Sequence, residues 1–394
     1  MIRLIRRVRR ARHFHRFRRF RCARALWRLC GAAILACVAM PGGGFAQAVT
    51  GDPVGTGRPA GTGAGVPADM LDRFVHAHRM VDIGGGRRIN LFCTGSGART
   101  VLFDAGGSDW SVIWALVQPL VAARARACSY DRAGLGHSDP APGPRSPVAI
   151  VEDLHALIGA AGLDTPLVLV GHSLGGFNMK LHAALHPGDV AGLVLVDPSE
   201  DRAAERVRDR LRGQFGESVA ARLELSDADW MKRLIAHYQG CAAAARVRPL
   251  DPASPEYRRC TDPVRAPLGP AIAAARMRIQ VGAAYQESQA SELANSVYGD
   301  GRGDAVYRRL FSGTPFGAKP LIVLTHGDFD AADPMDAASY RSYRWLHAET
   351  AALSRRGRQR TVPGTSHNIE IDAPQAVADA IFEVLDELAA KAKR

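Results

Sequence analysis

The run from Pro166 to Val170 is unbroken apolar chain, and it ends in Gly171-His-Ser-Leu-Gly175. A strand with no polar face is stable only where both faces are covered, so the chain has to build a sheet packed between helices. Helical spacing follows directly, from Leu174 to about His186. Strand, sharp turn and helix is the setting in which a G-x-S-x-G turn strains its central residue and lifts that side chain clear of the sheet edge. The flanking glycines are needed because side chains would collide where strand and helix cross. Ser173 is therefore the candidate nucleophile. The backbone N–H of Leu174 opens into the same space at a helix N-terminus, where negative charge is favoured.

The rest of the chain alternates in the same way. Arg79–Ile83 and Arg88–Phe92 read as a hairpin around Gly84-Gly-Gly86, followed by strands at Thr100–Asp104, Ala125–Tyr130 and Gly192–Asp197. Helical spacing marks Trp110–Ala123 and Val148–Gly162. Such alternation predicts an α/β fold with a mostly parallel sheet and right-handed crossovers. From Ser199 to about Ala318 the pattern changes: no apolar strand occurs in about 120 residues, which are helical and rich in Arg and Ala. This segment is an insertion between the sixth and seventh strands, large enough to form a lid. Pro320–Thr325 resumes the sheet, Leu346–Ser354 is helical and Gln359–Val362 is the last strand. The closing helix opens near Asp372-Ala-Pro374 and lays Val377, Ile381, Leu385 and Leu388 on one face.

The net charge of +12 invites a nucleic-acid reading that its distribution removes. Residues 1–48 hold twelve arginines and no Asp or Glu, so the remaining 51 − 12 = 39 basic residues balance 39 acidic ones. The basic segment, the apolar run Leu29–Met40 and Ala46-Gln-Ala48 together form an export-signal pattern with cleavage after Ala48. The apolar run is too short to span a bilayer. The chain is thus expected in the periplasm or outside the cell, meeting a membrane only through its leader during export. Cys37 lies in a weak lipidation box. Residues 49–67, rich in Gly, Pro and Thr, read as a flexible tether, and the folded body is expected as core over 71–198 and 319–394 with a helical insert over 199–318. The mature chain keeps Cys93, Cys128, Cys241 and Cys260, an even number that suggests disulfides with three possible connectivities. Cys241 and Cys260 lie close together within the insertion and are paired on that ground. Cys93 and Cys128 are left as a second pair or as two buried thiols.

Three segments stand in fixed order: the elbow at Ser173, the loop Tyr130-Asp-Arg-Ala-Gly-Leu-Gly-His-Ser138 and the stretch His367-Asn-Ile-Glu-Ile-Asp-Ala-Pro374. With them the chain resembles the α/β-hydrolase superfamily over about residues 75–390, in the branch with a helical cap between strands six and seven. The resemblance implies a sheet order 1-2-4-3-5-6-7-8, which sets Cys93 beside Cys128. It also implies that Asp131 and Arg132 brace their loop. This branch often carries His-Gly after the third strand, where this chain has Ala105-Gly106.

A serine hydroxyl attacks only if a base takes its proton, and His367 is the candidate base. The chain order Ser…Asp…His matches the superfamily. The acid that orients the imidazole has to come from a neighbouring strand end. Asp330, spaced G-x-x-D after strand seven, is the first choice; Asp197 after strand six is the alternative and Asp328 the third. Asp104 reads as a structural charge. The second oxyanion donor is expected from the loop Ala105-Gly-Gly-Ser108, at the N–H of Gly107 or else Gly106. No metal or organic cofactor is implied. His76 and His78 have no third ligand near, and His182 and His186 lack the Glu of an H-E-x-x-H motif and read as a solvated face. The expected activity is hydrolysis of a small-molecule carboxylic ester through an acyl-enzyme, with no nucleic-acid partner. The alternatives are an amide or peptide hydrolase of the same fold, and a binding protein on this scaffold.

Overall fold

Alternate residues of the central strands belong to two separate cores. Val101 and Phe103, Val168 and Val170, Val194 and Val196, and Ile322 and Leu324 face one way. Leu102, Leu167 and Leu169, Leu193 and Leu195, and Leu321 and Val323 face the other. That is the period of two expected of strands covered on both faces. Each such fully buried side chain contributes about 1.5–3 kcal/mol relative to exposure.

The computed structural model describes residues 66–263 and 265–392. The leader, its cleavage site, Cys37 and nearly all of the tether lie outside the described residues. The strands are β1 (Arg79–Asp82), β2 (Arg88–Thr94), β3 (Thr100–Asp104), β4 (Arg126–Tyr130), β5 (Leu167–His172), β6 (Val190–Val196), β7 (Pro320–His326) and β8 (Arg356–Val362). They form one sheet in the order β1-β2-β4-β3-β5-β6-β7-β8, the order the resemblance implies. β1 pairs with β2 and β2 with β4 antiparallel, and the remaining neighbours run parallel.

The helices are α1 (Ala68–Asp72), α2 (Gln118–Ala122), α3 (Pro147–Ala161), α4 (Ser173–Leu185), α5 (Ala203–Val247), α6 (Pro255–Cys260), α7 (Gly269–Gln280), α8 (Ala283–Asn295), α9 (Asp304–Leu310), α10 (Pro334–Ala351), α11 (Ile369–Asp372) and α12 (Pro374–Ala392). α2 and α12 cover one face of the sheet, and α3, α4 and the end of α10 cover the other. α5 to α9 form the helical insert between β6 and β7. The α5 span breaks at Gly216, whose φ of 82° is non-helical.

Three elements differ from the sequence expectation, each for a physical reason. Trp110–Ala123 is not one helix: a 3-10 turn over Ser111–Trp114 precedes α2, which starts where Pro119 sits in a first turn that needs no N–H from it. α10 begins at Pro334, well ahead of Leu346. Asp333 caps it, accepting from Met335 N at 2.8 Å, and its buried face is largely small or polar, including Ala338, Ser339 and Ser342, so the apolar period is faint. β8 begins at Arg356 because it is an edge strand guarded by charge. Arg356, Arg358 and Arg360 reach Glu383 and Glu387 on α12.

Candidate active site

β5 runs straight into α4, and the residue at the junction, Ser173, has a φ of 50°. Only close packing holds a non-glycine residue in that left-handed region. A Cβ on Gly171 would strike the Gly175 backbone, and one on Gly175 would strike the carbonyl oxygens of Asp104 and Ala105. Glycine is thus required on both sides of the turn. Ser173 Oγ lies 3.4 Å from Ser199 Oγ, which accepts a hydrogen bond of 2.7 Å from the Tyr298 hydroxyl in the insert. Burial pushes the Tyr298 phenol up to about 12, so it keeps its proton to donate.

His367 stands next to the elbow. The ring of His172, the residue before Ser173, donates from Nε2 to the His367 carbonyl at 2.9 Å, and the two imidazoles sit 4.7 Å apart. Burial, followed by the neighbouring charge of His367, holds the His172 imidazole well below its usual range, so it stays neutral. Ser173 Oγ and His367 share no hydrogen bond. Such bonds commonly tighten only when substrate arrives.

The carboxylate at His367 is Asp197, not Asp330. His367 Nδ1 donates to Asp197 Oδ2 at 2.6 Å. Asp197 follows β6 with a φ of 44°, and its N–H bonds Leu324 O of β7 at 2.8 Å. The backbone turns there, which aims the side chain at the loop after β8. Asp330 is drawn off by the turn into α10: its Oδ1 accepts from Ala332 N at 2.8 Å and its N–H donates to Asp336. Asp328 bonds Thr365 O through its own backbone N–H. The first-choice acid is thereby corrected in favour of the alternative.

A second imidazole shares the same carboxylate. His326, at the end of β7, donates from Nδ1 to Asp197 Oδ2 at 2.8 Å and from its backbone N–H to Oδ1 at 3.0 Å. Burial opposes charge on Asp197, but the hydrogen bonds from His326 and His367 outweigh it and hold the carboxyl well below its ordinary range. For His326, burial is again outweighed, here by Asp197, and the imidazole is raised. No feature of the sequence marked His326; its neighbour Gly327 drew notice only as part of the Asp330 spacing.

The loop after β3 arches over the elbow. A Cβ on Gly106 would sit 2.9 Å from His172 Nδ1 and 3.4 Å from Ser173 Cβ, whereas one on Gly107 would meet Leu174 only at 3.7 Å. Ser108 in the same loop has a φ of 64°. Arg132 fixes the loop from behind, donating to Ala105 O at 2.6 Å, Gly106 O at 2.7 Å and Asp104 Oδ1 at 2.7 Å. Its other edge pairs with both oxygens of Glu292 on α8, at 2.6 and 2.8 Å. One buried guanidinium therefore joins the loop beside Ser173 to the insert.

A family model described as the alpha/beta hydrolase fold matches residues 99–374. The chain belongs to the α/β-hydrolase family. Among curated relatives, a probable transporter of Hormonema carpetanum, efuK, is 33% identical over 138 residues, 32% of this chain and 19% of its own length. The uncharacterized protein YqjL of Bacillus subtilis is 32% identical over 105 residues, 27% of this chain and 42% of its own. The chain spans less than half the length of either relative. Among solved structures, a candidate lipase, Lip1, of Acinetobacter baumannii AYE superposes with a TM-score of 0.57 at 16% identity, covering 82% of this chain and 95% of that one. At that identity the likeness is one of fold.

Within this α/β-hydrolase, Asp131 accepts from Ser111 N, Asn90 Nδ2 and His137 N, so it braces its own loop, while Arg132 reaches the neighbouring one. Asp104 is held between Arg132 and Asn178 and faces no reacting atom. Cys93 and Cys128 are register partners on β2 and β4, their sulfurs 2.10 Å apart, and Cys241 and Cys260 lie at 2.00 Å. His182 is not on a solvated face. Its ring is fully buried against α3, and only His186 reaches the surface. Among the described residues, no helix is long and apolar enough to cross a membrane.

Proposed function

We propose that the protein is an exported serine hydrolase that cleaves carboxylic esters. The observation that carries this reading is the His367 imidazole, held by Asp197 at 2.6 Å, beside the strained elbow that presents Ser173. With Nδ1–H committed to Asp197, His367 Nε2 keeps its lone pair for the serine proton. Ser173 Oγ bonds to the ester carbonyl carbon as His367 takes the hydroxyl proton, and the carbonyl electron pair moves onto oxygen. The N–H groups of Leu174 and Gly107 receive that oxyanion. Collapse breaks the bond to the alcohol oxygen, which leaves with the proton from His367. Water then adds to the acyl-enzyme, giving its proton to His367, and the second collapse returns that proton to Ser173 and frees the acid.

The lipase description of a structural neighbour points towards esters. Export is supported by the leader pattern and by two cysteine pairs at bonding distance, which persist in an oxidising compartment. The test is hydrolysis of p-nitrophenyl esters of increasing acyl length by the wild-type chain and by Ser173→Ala, with fluorophosphonate labelling alongside. Wild type should turn over and label, and the variant should do neither. Equal turnover in both would end the proposal.

A further inference from the structure

On the side of the sheet where strands begin, three elements bring imidazoles and a carboxylate together. His155 projects from α3, His182 and His186 lie one turn apart at the end of α4, and Asp189 sits in the turn leading into β6. His155 Nδ1 is 3.1 Å from Asp189 Oδ2, and His182 Nε2 is 3.6 Å from the same oxygen. The His155 and His186 rings stack with centroids 3.8 Å apart, and His182 lies 4.9 Å from His186. One ligand atom from each of His155, His186 and Asp189 falls within 4.8 Å of the others.

An independent observation comes from His182. Its side chain is fully buried, yet neither ring nitrogen has a hydrogen-bond partner. Buried polar atoms are normally paired, and one that is not calls for an occupant. Water or an ordinary hydrogen-bonding side chain would serve one nitrogen. Asp189 Oδ2 stands 3.6 Å from Nε2, and the rings of His186 and His155 lie 4.9 and 6.0 Å from that of His182, a set of donors that points to a cation.

We propose that His155, His182, His186 and Asp189 bind one divalent transition-metal ion of the zinc type, which ties α3 to the end of α4. Imidazole nitrogen and carboxylate oxygen suit zinc at about 2.0–2.2 Å, with ligand atoms about 3.3 Å apart in a tetrahedron. The ligand atoms of His155, His186 and Asp189 lie within 4.8 Å of one another, and His155, half exposed, has to turn out of its stack on His186 to close the set round an ion. His182, in the last turn of α4, and His186, which ends it, bring their rings within 4.9 Å of each other. Four protein ligands leave no open position, so the ion is structural. Ser173 stands at the other end of α4, about 14 Å along the helix from His182 and about 20 Å from His186, so the ion takes no part in hydrolysis. The second cluster of this kind, His237 with Cys241 and Cys260, has both sulfurs committed to each other.

The test titrates metal-stripped full-length chain with Zn²⁺ by calorimetry and with Co²⁺ by visible absorption, against His155→Ala/His186→Ala. Both substituted side chains reach solvent, and Asp189→Asn is a second, nearly isosteric variant. Wild type should bind one equivalent and show the intense Co²⁺ bands of a tetrahedral site. Both variants should bind about a hundredfold more weakly, with ester hydrolysis unchanged. Absence of saturable binding to wild type, or equal binding in wild type and variants, overturns the proposal.

Discussion

Asp197→Asn tests how the proposed base is held. In the wild type, Asp197 accepts three hydrogen bonds: from His367 Nδ1 at 2.6 Å, from His326 Nδ1 at 2.8 Å and from His326 N at 3.0 Å. Asn offers one oxygen and one NH₂ in that volume. With the oxygen towards the His326 amide, the NH₂ faces two imidazoles, and His367 has to accept through Nδ1. Its proton then sits on Nε2, and that nitrogen, the proposed acceptor of the serine proton, has no free lone pair. With the oxygen towards the imidazoles, the NH₂ confronts the His326 N–H, and a buried donor goes unpaired at about 1–3 kcal/mol. The first arrangement costs about 10³–10⁴ in kcat, or about 4–5 kcal/mol of barrier, with KM unchanged because Asp197 does not touch substrate. The assay is steady-state hydrolysis of p-nitrophenyl butyrate, with active sites counted by fluorophosphonate. Asp330→Asn is the control. Its carboxylate caps an exposed turn through Ala332 N, so activity should stay within about twofold. A thousandfold loss in Asp330→Asn with Asp197→Asn spared would refute the reasoning.

Glu370 is fully buried, and neither carboxyl oxygen has a hydrogen-bond partner; His172 Nδ1 is 3.3 Å away. Burial raises its carboxyl well above the ordinary value. Its contribution is therefore intact below the unfolded value near 4.5 and lost as pH rises towards the folded one. Glu370→Gln, which never ionises, should match wild type at pH 4 and exceed it as the pH rises above the unfolded value, the gap opening by at most about 1.4 kcal/mol per pH unit until the folded carboxyl ionises. Urea midpoints across that range check it, and a variant less stable at pH 8 would contradict the assignment. Cys241→Ser opens a link of sequence separation 19 within the insert. A loop of that length is worth about 3 kcal/mol, to be read as a lower urea midpoint under oxidising conditions, with wild type under reducing conditions falling towards the variant.

The central strands, the elbow and the insertion were legible because each declares itself locally. Leu167–Val170 has no polar face, Gly171 and Gly175 bracket the serine, and no apolar run interrupts the stretch after Ser199. α10 and β8 were misjudged in extent because their buried contacts are small side chains and ion pairs rather than apolar periods. His182 misled for the opposite reason. A polar residue on a helix suggests solvent, and only the packing of α3 against α4 buries it.

The sequence by itself determined a doubly covered parallel sheet, the serine at its elbow and the histidine beyond its last strand, since these depend on residues adjacent in the chain. Which aspartate meets that histidine was decided only by tertiary structure. Asp197 and Asp330 both follow parallel strands, and nothing local separates them. The pairing of β6 with β7 and the left-handed backbone at Asp197 turn one carboxylate inward, while the turn ahead of α10 holds the other towards solvent through Ala332 N. The same packing brings His326, Arg132 and Tyr298 to the site from elements far apart in sequence.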